Sequence, residues 1–144
     1  MEQNIKENSA VQNHINILQN IITRMASNSA NSKTWAITII SAIIVLLIDK
    51  SKTNIFYIVY LPLVMFYFLD SFYLGLERYF RTLYNKFIET VESNNFDFNT
   101  VYKISGPKKL CKKICLTISG AWSFSTTPFY VILGVLIFII SKIP

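Results

Sequence analysis

The apolar residues of the chain are concentrated in long blocks that polar and basic stretches separate. The first block covers residues 35–48 and the second residues 55–69. Apolar side chains occupy every face of a helix in both blocks, whereas a helix of a soluble protein keeps a polar face. A helix crosses a bilayer with about 20 apolar residues. The blocks reach this length if the first helix starts near Asn31 and the second continues to Leu76, which predicts a transmembrane hairpin.

A third apolar block closes the chain. Its strictly apolar part, residues 129–140, is short, but it reaches spanning length if the helix begins near Ala121. Pro128 is tolerated near a helix start or as a kink. The pattern favours a third transmembrane segment. The alternative is a segment that packs onto the membrane without crossing it.

The polar N-terminal part carries apolar residues at alternating spacings of four and three. This heptad seam consists of Val11, Ile15, Leu18, Ile22 and Met25. The same phase continues through Ser29, Ser32 and Ala36, which predicts one continuous helix into the first span. The seam favours self-association of the chain. The alternative is that it packs on a cytoplasmic helix of the same chain.

Composition agrees with a membrane protein. Of 144 residues, 52% are hydrophobic and only 15% are charged, with a mean hydropathy of +0.39. Basic residues lie mainly before the first block and after the second, and only Lys50 and Lys52 lie between them. Because basic loops remain in the cytoplasm, we predict a multi-pass membrane protein with a cytoplasmic N-terminus and no cleavable signal peptide.

These observations predict an all-α integral membrane protein with four regions. Residues 1–30 form a cytoplasmic N-terminal oligomerisation helix, and residues 31–76 form the transmembrane hairpin. Residues 77–120 form a cytoplasmic basic helical region, and residues 121–144 form the third transmembrane segment.

Hydroxyl residues form a stripe on the first span. Thr34, Thr38 and Ser41 are spaced by four and three, so they share one helical face. Such a stripe can line a narrow path for ions in an oligomer, which an apolar ring at Ile39 and Ile43 would close. The hydroxyls can equally bond to carbonyls of the preceding turn or hold helices together.

Asp70 stands at the end of the second block, where an unpaired carboxylate is costly. We predict an ion pair with Arg78 at the cytoplasmic interface, with Arg24, Lys33 and Arg81 as the other candidates. The alternative is an ion site in mid-membrane.

A basic amphipathic helix is predicted to begin at Pro107. Its lysines are Lys108, Lys109, Lys112 and Lys113. They favour contact with anionic lipid headgroups. The alternative is a phosphate-bearing ligand such as a nucleotide or single-stranded oligonucleotide.

The sequence contains no pattern typical of a catalytic or metal site. It has no glycine-rich phosphate loop and no HExxH or GxSxG motif. The single histidine, His14, is predicted to be an exposed polar residue. We expect neither enzymatic activity nor a cofactor.

Some segments resemble a family of small bacterial membrane effectors. These segments are LQNIITRMASNSANSKTWAITIISAI, FYFLDSFYLGLERYFRTLY, FDFNT and WSFSTTPFY. They resemble the SLATT-type effectors and the membrane channel of the Hailong system, which act in anti-phage defence. The resemblance implies a homo-oligomeric channel, with a tetramer as one expected size, that depolarises the inner membrane. It also implies a nucleotide-type regulator and a nucleotidyltransferase encoded nearby.

Two functional hypotheses follow. In the first, the chain is a gated pore-forming effector. In the second, it is a membrane anchor or scaffold that recruits a cytoplasmic partner. Ion conduction distinguishes the two hypotheses.

Overall fold

The computed structural model describes residues 8–49, 53–93 and 101–142, and within these ranges all regular secondary structure is helical. The helices are α1 (Ser9–Asp49), α2 (Tyr60–Glu92), α3 (Leu110–Ala121) and α4 (Thr127–Ile140). A short 3₁₀ helix, Thr53–Val59, leads directly into α2. Most of the predicted outer turn and of the helix break before α3 lies outside the described residues.

α1 is a single uninterrupted helix of 41 residues. Its sequence contains neither glycine nor proline, the residues that most disfavour a helix interior. Asn8 caps its start, because the side-chain Oδ1 accepts a hydrogen bond from the N–H of Ala10 at 2.9 Å. The polar N-terminal part and the first apolar block are therefore one rigid element, as the continuous phase of the apolar positions predicts.

α2 lies antiparallel to α1. At one end Val11 and Val91 line the same cleft, and further along the pair Lys33 contacts Asp70. At the other end Leu47 packs in a shared core with the 3₁₀ helix. The predicted continuation of the second helix beyond the apolar block is present, and α2 ends at Glu92.

α3 and α4 form a third column that runs antiparallel to α2. The hydroxyl of Tyr67 donates a hydrogen bond to the carbonyl oxygen of Ala121 at 3.3 Å, and that of Tyr130 donates to Phe66 at 3.1 Å. Pro128 lies in the first turn of α4, where a missing N–H breaks no helical bond. α4 has 14 residues, about 21 Å of helix. It is shorter than α1 and than the helical stretch Ile55–Glu92, both of which are long and apolar enough to cross a membrane.

Two glycines allow α2 and α3 to pack with their backbones in close contact. A Cβ atom at Gly75 would lie less than 3.0 Å from the carbonyl oxygen of Leu116. A Cβ atom at Gly120 would be equally close to the carbonyl oxygen of Ser71. Small residues permit such close helix crossings. This contact fixes α3 against the part of α2 that follows Asp70.

The segment before α3, residues 101–109, is an irregular strap that contacts α2. The sequence analysis predicted that this helix begins at Pro107, but α3 begins at Leu110. Pro107 is buried, and Lys109 has an extended backbone with φ −84° and ψ 135°. The hydroxyl of Tyr79 donates a hydrogen bond to the carbonyl oxygen of Ser105 at 3.1 Å. The helix start is thus displaced because the preceding residues pack as an irregular strap.

The interior consists of two apolar cores with a polar layer between them. The first core contains Ala36, Ile40, Leu47, Phe56, Val59, Leu63, Tyr130 and Ile137. The second core contains Leu18, Met25 and Phe80. The buried residues between the cores are Ser29, Ser32, Asp70 and Ser71. The surface around the first core is also apolar, because many large hydrophobic side chains of α1, α2 and α4 are exposed there.

Replacing Gly120 with valine should separate α3 from α2, because the new side chain would meet the α2 backbone. We expect the free energy of unfolding to fall by about 1–3 kcal/mol, which denaturant unfolding in detergent micelles measures. Gly106→Ala is the matched control, since a Cβ atom at Gly106 has no neighbour within 4 Å. Equal stability of the two variants would contradict the close helix contact.

Candidate functional site

A buried ion pair joins α1 to α2 between the two cores. Asp70 is completely buried, and the Nζ of Lys33 lies 2.7 Å from its Oδ2. The hydroxyl of Ser29 donates a hydrogen bond to Oδ1. Within the described residues, Oδ2 has this ion pair and no aligned hydrogen bond. The Nζ of Lys33 also lies 3.5 Å from the Oγ of Ser29, so the three side chains form one network.

The network determines how α1 and α2 align. Ser29 and Lys33 are four residues apart and therefore lie on the same face of α1. Burying a carboxylate costs several kcal/mol unless a partner compensates the charge. The Lys33 side chain keeps 20% of its surface exposed, so its ammonium reaches the carboxylate from the edge of the interior. A shift of one helical turn would leave Asp70 without this partner.

The partner of Asp70 differs from the one predicted. Arg78 does not pair with Asp70, because eight residues along a helix rotate a side chain by about 80° beyond two full turns. Arg78 instead faces α3, where it donates hydrogen bonds to the carbonyl oxygen of Ser119 at 2.7 Å and to the Oγ of Ser123 at 2.8 Å. Lys33, one of the other candidates, is the partner.

The heptad seam is covered by α2 of the same chain. Val11, Leu18 and Met25 are buried, and Ile15 and Ile22 are half-buried. Aromatic side chains of α2 pack against the middle of the seam. This arrangement matches the alternative interpretation of the seam, so an exposed apolar stripe no longer argues for self-association. Oligomerisation through these five residues stays a prediction.

The hydroxyl stripe faces away from the interior of the chain. Thr34, Thr38 and Ser41 are all exposed. The hydroxyls of Thr34 and Thr38 each donate to the carbonyl oxygen four residues earlier, at 3.3 and 2.9 Å. Ile39 and Ile43, the predicted closing ring, are half-buried. Any ion path along the stripe would therefore lie between chains and not within one chain.

The lysines of the predicted basic helix are all exposed. Lys108 and Lys109 precede α3, whereas Lys112 and Lys113 lie in its first turn. The Nζ of Lys112 lies 4.8 Å from the ring centroid of Tyr79, in a cation–π contact. Residues 101–142 contain no aspartate or glutamate, so no acidic residue of this segment offsets the lysines. The result is a surface that attracts anions.

The sequence analysis predicted that His14 is exposed, and this prediction is wrong because the side chain is buried. Its ring stacks on Phe87 with centroids 4.1 Å apart, and its Nδ1 accepts a hydrogen bond from the N–H of Tyr102 at 2.8 Å. Tyr102 has a φ of 68°, which is unfavourable for a non-glycine residue. Burial lowers the pKa of His14 below its usual 6.5. The neutral ring therefore holds the strap before α3 against α1.

No metal site is evident in the ranges that the structure describes, where no three His, Cys, Asp or Glu side chains gather. Comparison with protein-family models, curated proteins and solved structures finds no match to this chain. The resemblance to SLATT-type and Hailong-type effectors therefore stays a prediction.

Sequence reasoning named Lys33 only as one of four candidate partners and gave Ser29 no role in this network, although a signal for Lys33 exists. Lys33 stands 16 residues before Asp49, and Asp70 stands 15 residues after Ile55. In an antiparallel hairpin, residues at equal distances from the turn lie opposite each other. Counting outward from the turn would thus have selected Lys33 among the four candidate cations.

Replacing Lys33 with methionine should destabilise the chain by about 3–5 kcal/mol, because it leaves Asp70 buried without a partner. The double variant Lys33→Met/Asp70→Leu should recover part of this loss. Denaturant unfolding in detergent then gives the coupling energy. The matched cycle of Arg78→Met with Asp70→Leu should be additive to within about 0.5 kcal/mol. Strong coupling to Arg78 and none to Lys33 would refute the observed pairing.

The stability of the chain should fall in acid because of His14. A lowered pKa in the folded state means that this contribution is fully present above pH 6.5 and is lost as the pH falls from 6.5 towards the folded-state pKa. Unfolding midpoints measured between about pH 8 and pH 5 should decrease more for the unmodified chain than for His14→Gln. Parallel profiles for the two proteins would contradict the role of the neutral ring.

Proposed function

We propose that α1 and α2 cross a membrane and that the apolar surface around the first core contacts lipid. Only 22% of an 18-residue apolar stretch of α1 is buried within the chain, and only 28% of such a stretch in Ile55–Glu92. A core helix of a soluble protein is mostly buried, so the exposed apolar surface supports a lipid environment. Trp35 and Trp122 are exposed at the edge of this surface that lies towards Asp70. Tryptophan is favoured at the interface between membrane and water.

The polar network lies near one edge of the proposed membrane region. A hydrocarbon core of about 30 Å corresponds to about 20 helical residues. In α1, Ser29 lies 20 residues before Asp49, which is one hydrocarbon thickness along the helix. Ser29, Lys33 and Asp70 then lie at the inner boundary of the hydrocarbon, where an ion pair can exist if it is shielded from lipid. The basic segment before and within α3 lies beyond this boundary, which supports a cytoplasmic location.

The function that we propose is that of a pore-forming effector of the bacterial inner membrane. The observation that carries this proposal is the stripe of Thr34, Thr38 and Ser41, which is exposed although it borders an apolar surface. If several chains assemble with this face of α1 inward, the stripe supplies polar atoms along an ion path, and the packed interior of each chain remains closed. Opening would depolarise the membrane and arrest growth, as the resemblance to defence effectors implies.

Regulation by a phosphate-bearing ligand belongs to the same proposal. The exposed lysines around the start of α3, which have no acidic neighbours in sequence, offer a site for a nucleotide or oligonucleotide.

A membrane anchor or scaffold is the second candidate function. The α1–α2 pair continues beyond the inner boundary for about 20 residues of each helix, roughly 30 Å. This rigid arm is stabilised by the second core, and it would present an extended surface to a cytoplasmic partner.

Expression of the chain at increasing levels should collapse the membrane potential, and the purified protein should conduct ions in planar bilayers. Thr38→Leu should reduce both effects severalfold, because it removes a hydroxyl from the proposed path. Thr90→Leu is the matched control, since Thr90 is also exposed and bonds to the carbonyl oxygen four residues earlier, at 2.7 Å. A voltage-sensitive dye and single-channel recording measure the two effects.

The controls separate conduction from insertion. Cys111 and Cys115 are free and exposed, so an impermeant maleimide should label them in inside-out vesicles only. In a chain without these cysteines, Lys142→Cys should label from the opposite side if the third column also crosses. If the chain inserts correctly but does not conduct ions in bilayers, the pore hypothesis is wrong and the scaffold hypothesis replaces it. Labelling from both sides would overturn the membrane placement.

A further inference from the structure

An apolar groove with a volume of about 530 Å³ runs between α2 and α3. Leu110, Ile114 and Ile118 form one wall, and each is more than half exposed. Phe68 and Phe72 belong to the opposite wall on α2. An open groove of this size, lined almost entirely by apolar atoms, is within the range of about 300–1,000 Å³ that small-molecule sites occupy.

One end of the groove adjoins a cavity that two cationic side chains line. Phe72 and Lys113 line both this groove and a neighbouring cavity of about 380 Å³. Arg24 of α1 lines the same neighbouring cavity. The apolar groove therefore leads to a space that a lysine and an arginine border from different helices.

Two acidic residues of α2, Asp70 and Glu77, already have partners. Lys33 neutralises Asp70, and the Nε of Arg81 lies 2.8 Å from the carboxylate of Glu77. Within the described residues, neither Arg24 nor Lys113 forms an ion pair with a carboxylate. The two cations are thus available to an anionic group from outside the chain.

The depth of the groove matches the edge of the proposed membrane region. Arg24 lies five residues beyond Ser29, or about 7.5 Å further along α1, which places it in the headgroup layer. At the opposite end, Phe68 and Leu69 connect the groove to the exposed apolar surface. The groove therefore extends from the hydrocarbon to the level of the phosphates.

We propose that the groove binds one anionic phospholipid of the cytoplasmic leaflet. One acyl chain lies along Ile114 and Ile118, and the phosphate lies between Arg24 and Lys113. This lipid would link α1 to α3. The polar network of Ser29, Lys33 and Asp70 links only α1 and α2. The inference rests on the membrane placement of the proposed function and is independent of ion conduction.

Native mass spectrometry of the full chain in detergent tests this site, with dioleoyl-phosphatidylglycerol as the probe. The chain should retain this lipid at concentrations where dioleoyl-phosphatidylcholine is lost. Arg24→Gln/Lys113→Gln should weaken retention by at least about tenfold, because it removes both charges that meet the phosphate. The matched control Lys86→Gln/Lys103→Gln removes the same charge from exposed residues elsewhere and should retain the lipid.

A second variant separates the acyl chain from the headgroup. Ile114→Trp should fill the groove and weaken retention without changing the charge, and glycerol 3-phosphate should compete poorly. The variants involve exposed side chains, and unfolding midpoints verify that they fold.

Several outcomes would overturn the site. Equal retention of both lipids by all variants would indicate non-specific lipid around the helices. Full competition by glycerol 3-phosphate, with no effect of Ile114→Trp, would indicate a free phosphate site. A dimer that Ile114→Trp disrupts would indicate that a second copy of the chain fills the groove. Silent bilayers would leave the lipid site intact, whereas failed insertion would remove it.

Discussion

The buried carboxylate of Asp70 is the constraint on which the arrangement of α1 and α2 depends. Apolar contacts on either side of it are permissive, because hydrophobic packing is non-directional and tolerates small shifts. The ion pair with Lys33 and the hydrogen bond from Ser29 permit only one alignment. The two cores add stability on both sides of this polar layer.

The third column is attached by different means. Backbone contacts at Gly75 and Gly120, hydrogen bonds from Arg78, and the clamp of His14 on the strap hold it against α2 and α1. None of these contacts covers the face of α3 that carries Leu110, Ile114 and Ile118. The chain consequently has a firmly fixed hairpin and a third column with one apolar face open, next to a concentration of lysines.

The two functional proposals depend on different surfaces. Conduction requires several chains, because the hydroxyl stripe on α1 faces away from the packed interior. The lipid site requires only one chain, because α1, α2 and α3 together provide its apolar walls and its cations. The stripe and the lipid site share no residue, so each can be altered without changing the other.

The sequence alone predicted an all-helical chain with a long α1, but it placed the starts of α3 and α4 too early. Period and length sufficed for α1, since no glycine or proline interrupts residues 9–49. Tertiary structure decided the partners. Four cations were available to Asp70 by charge, and only the antiparallel alignment brought Lys33 close to it. The heptad seam was compatible with any apolar helix, and α2 of the same chain covers it. His14 appeared to be a surface residue because burial depends on a strap about 88 positions further along the chain. The periodicity of a sequence shows which face of a helix is apolar. It does not show which other helix packs against that face.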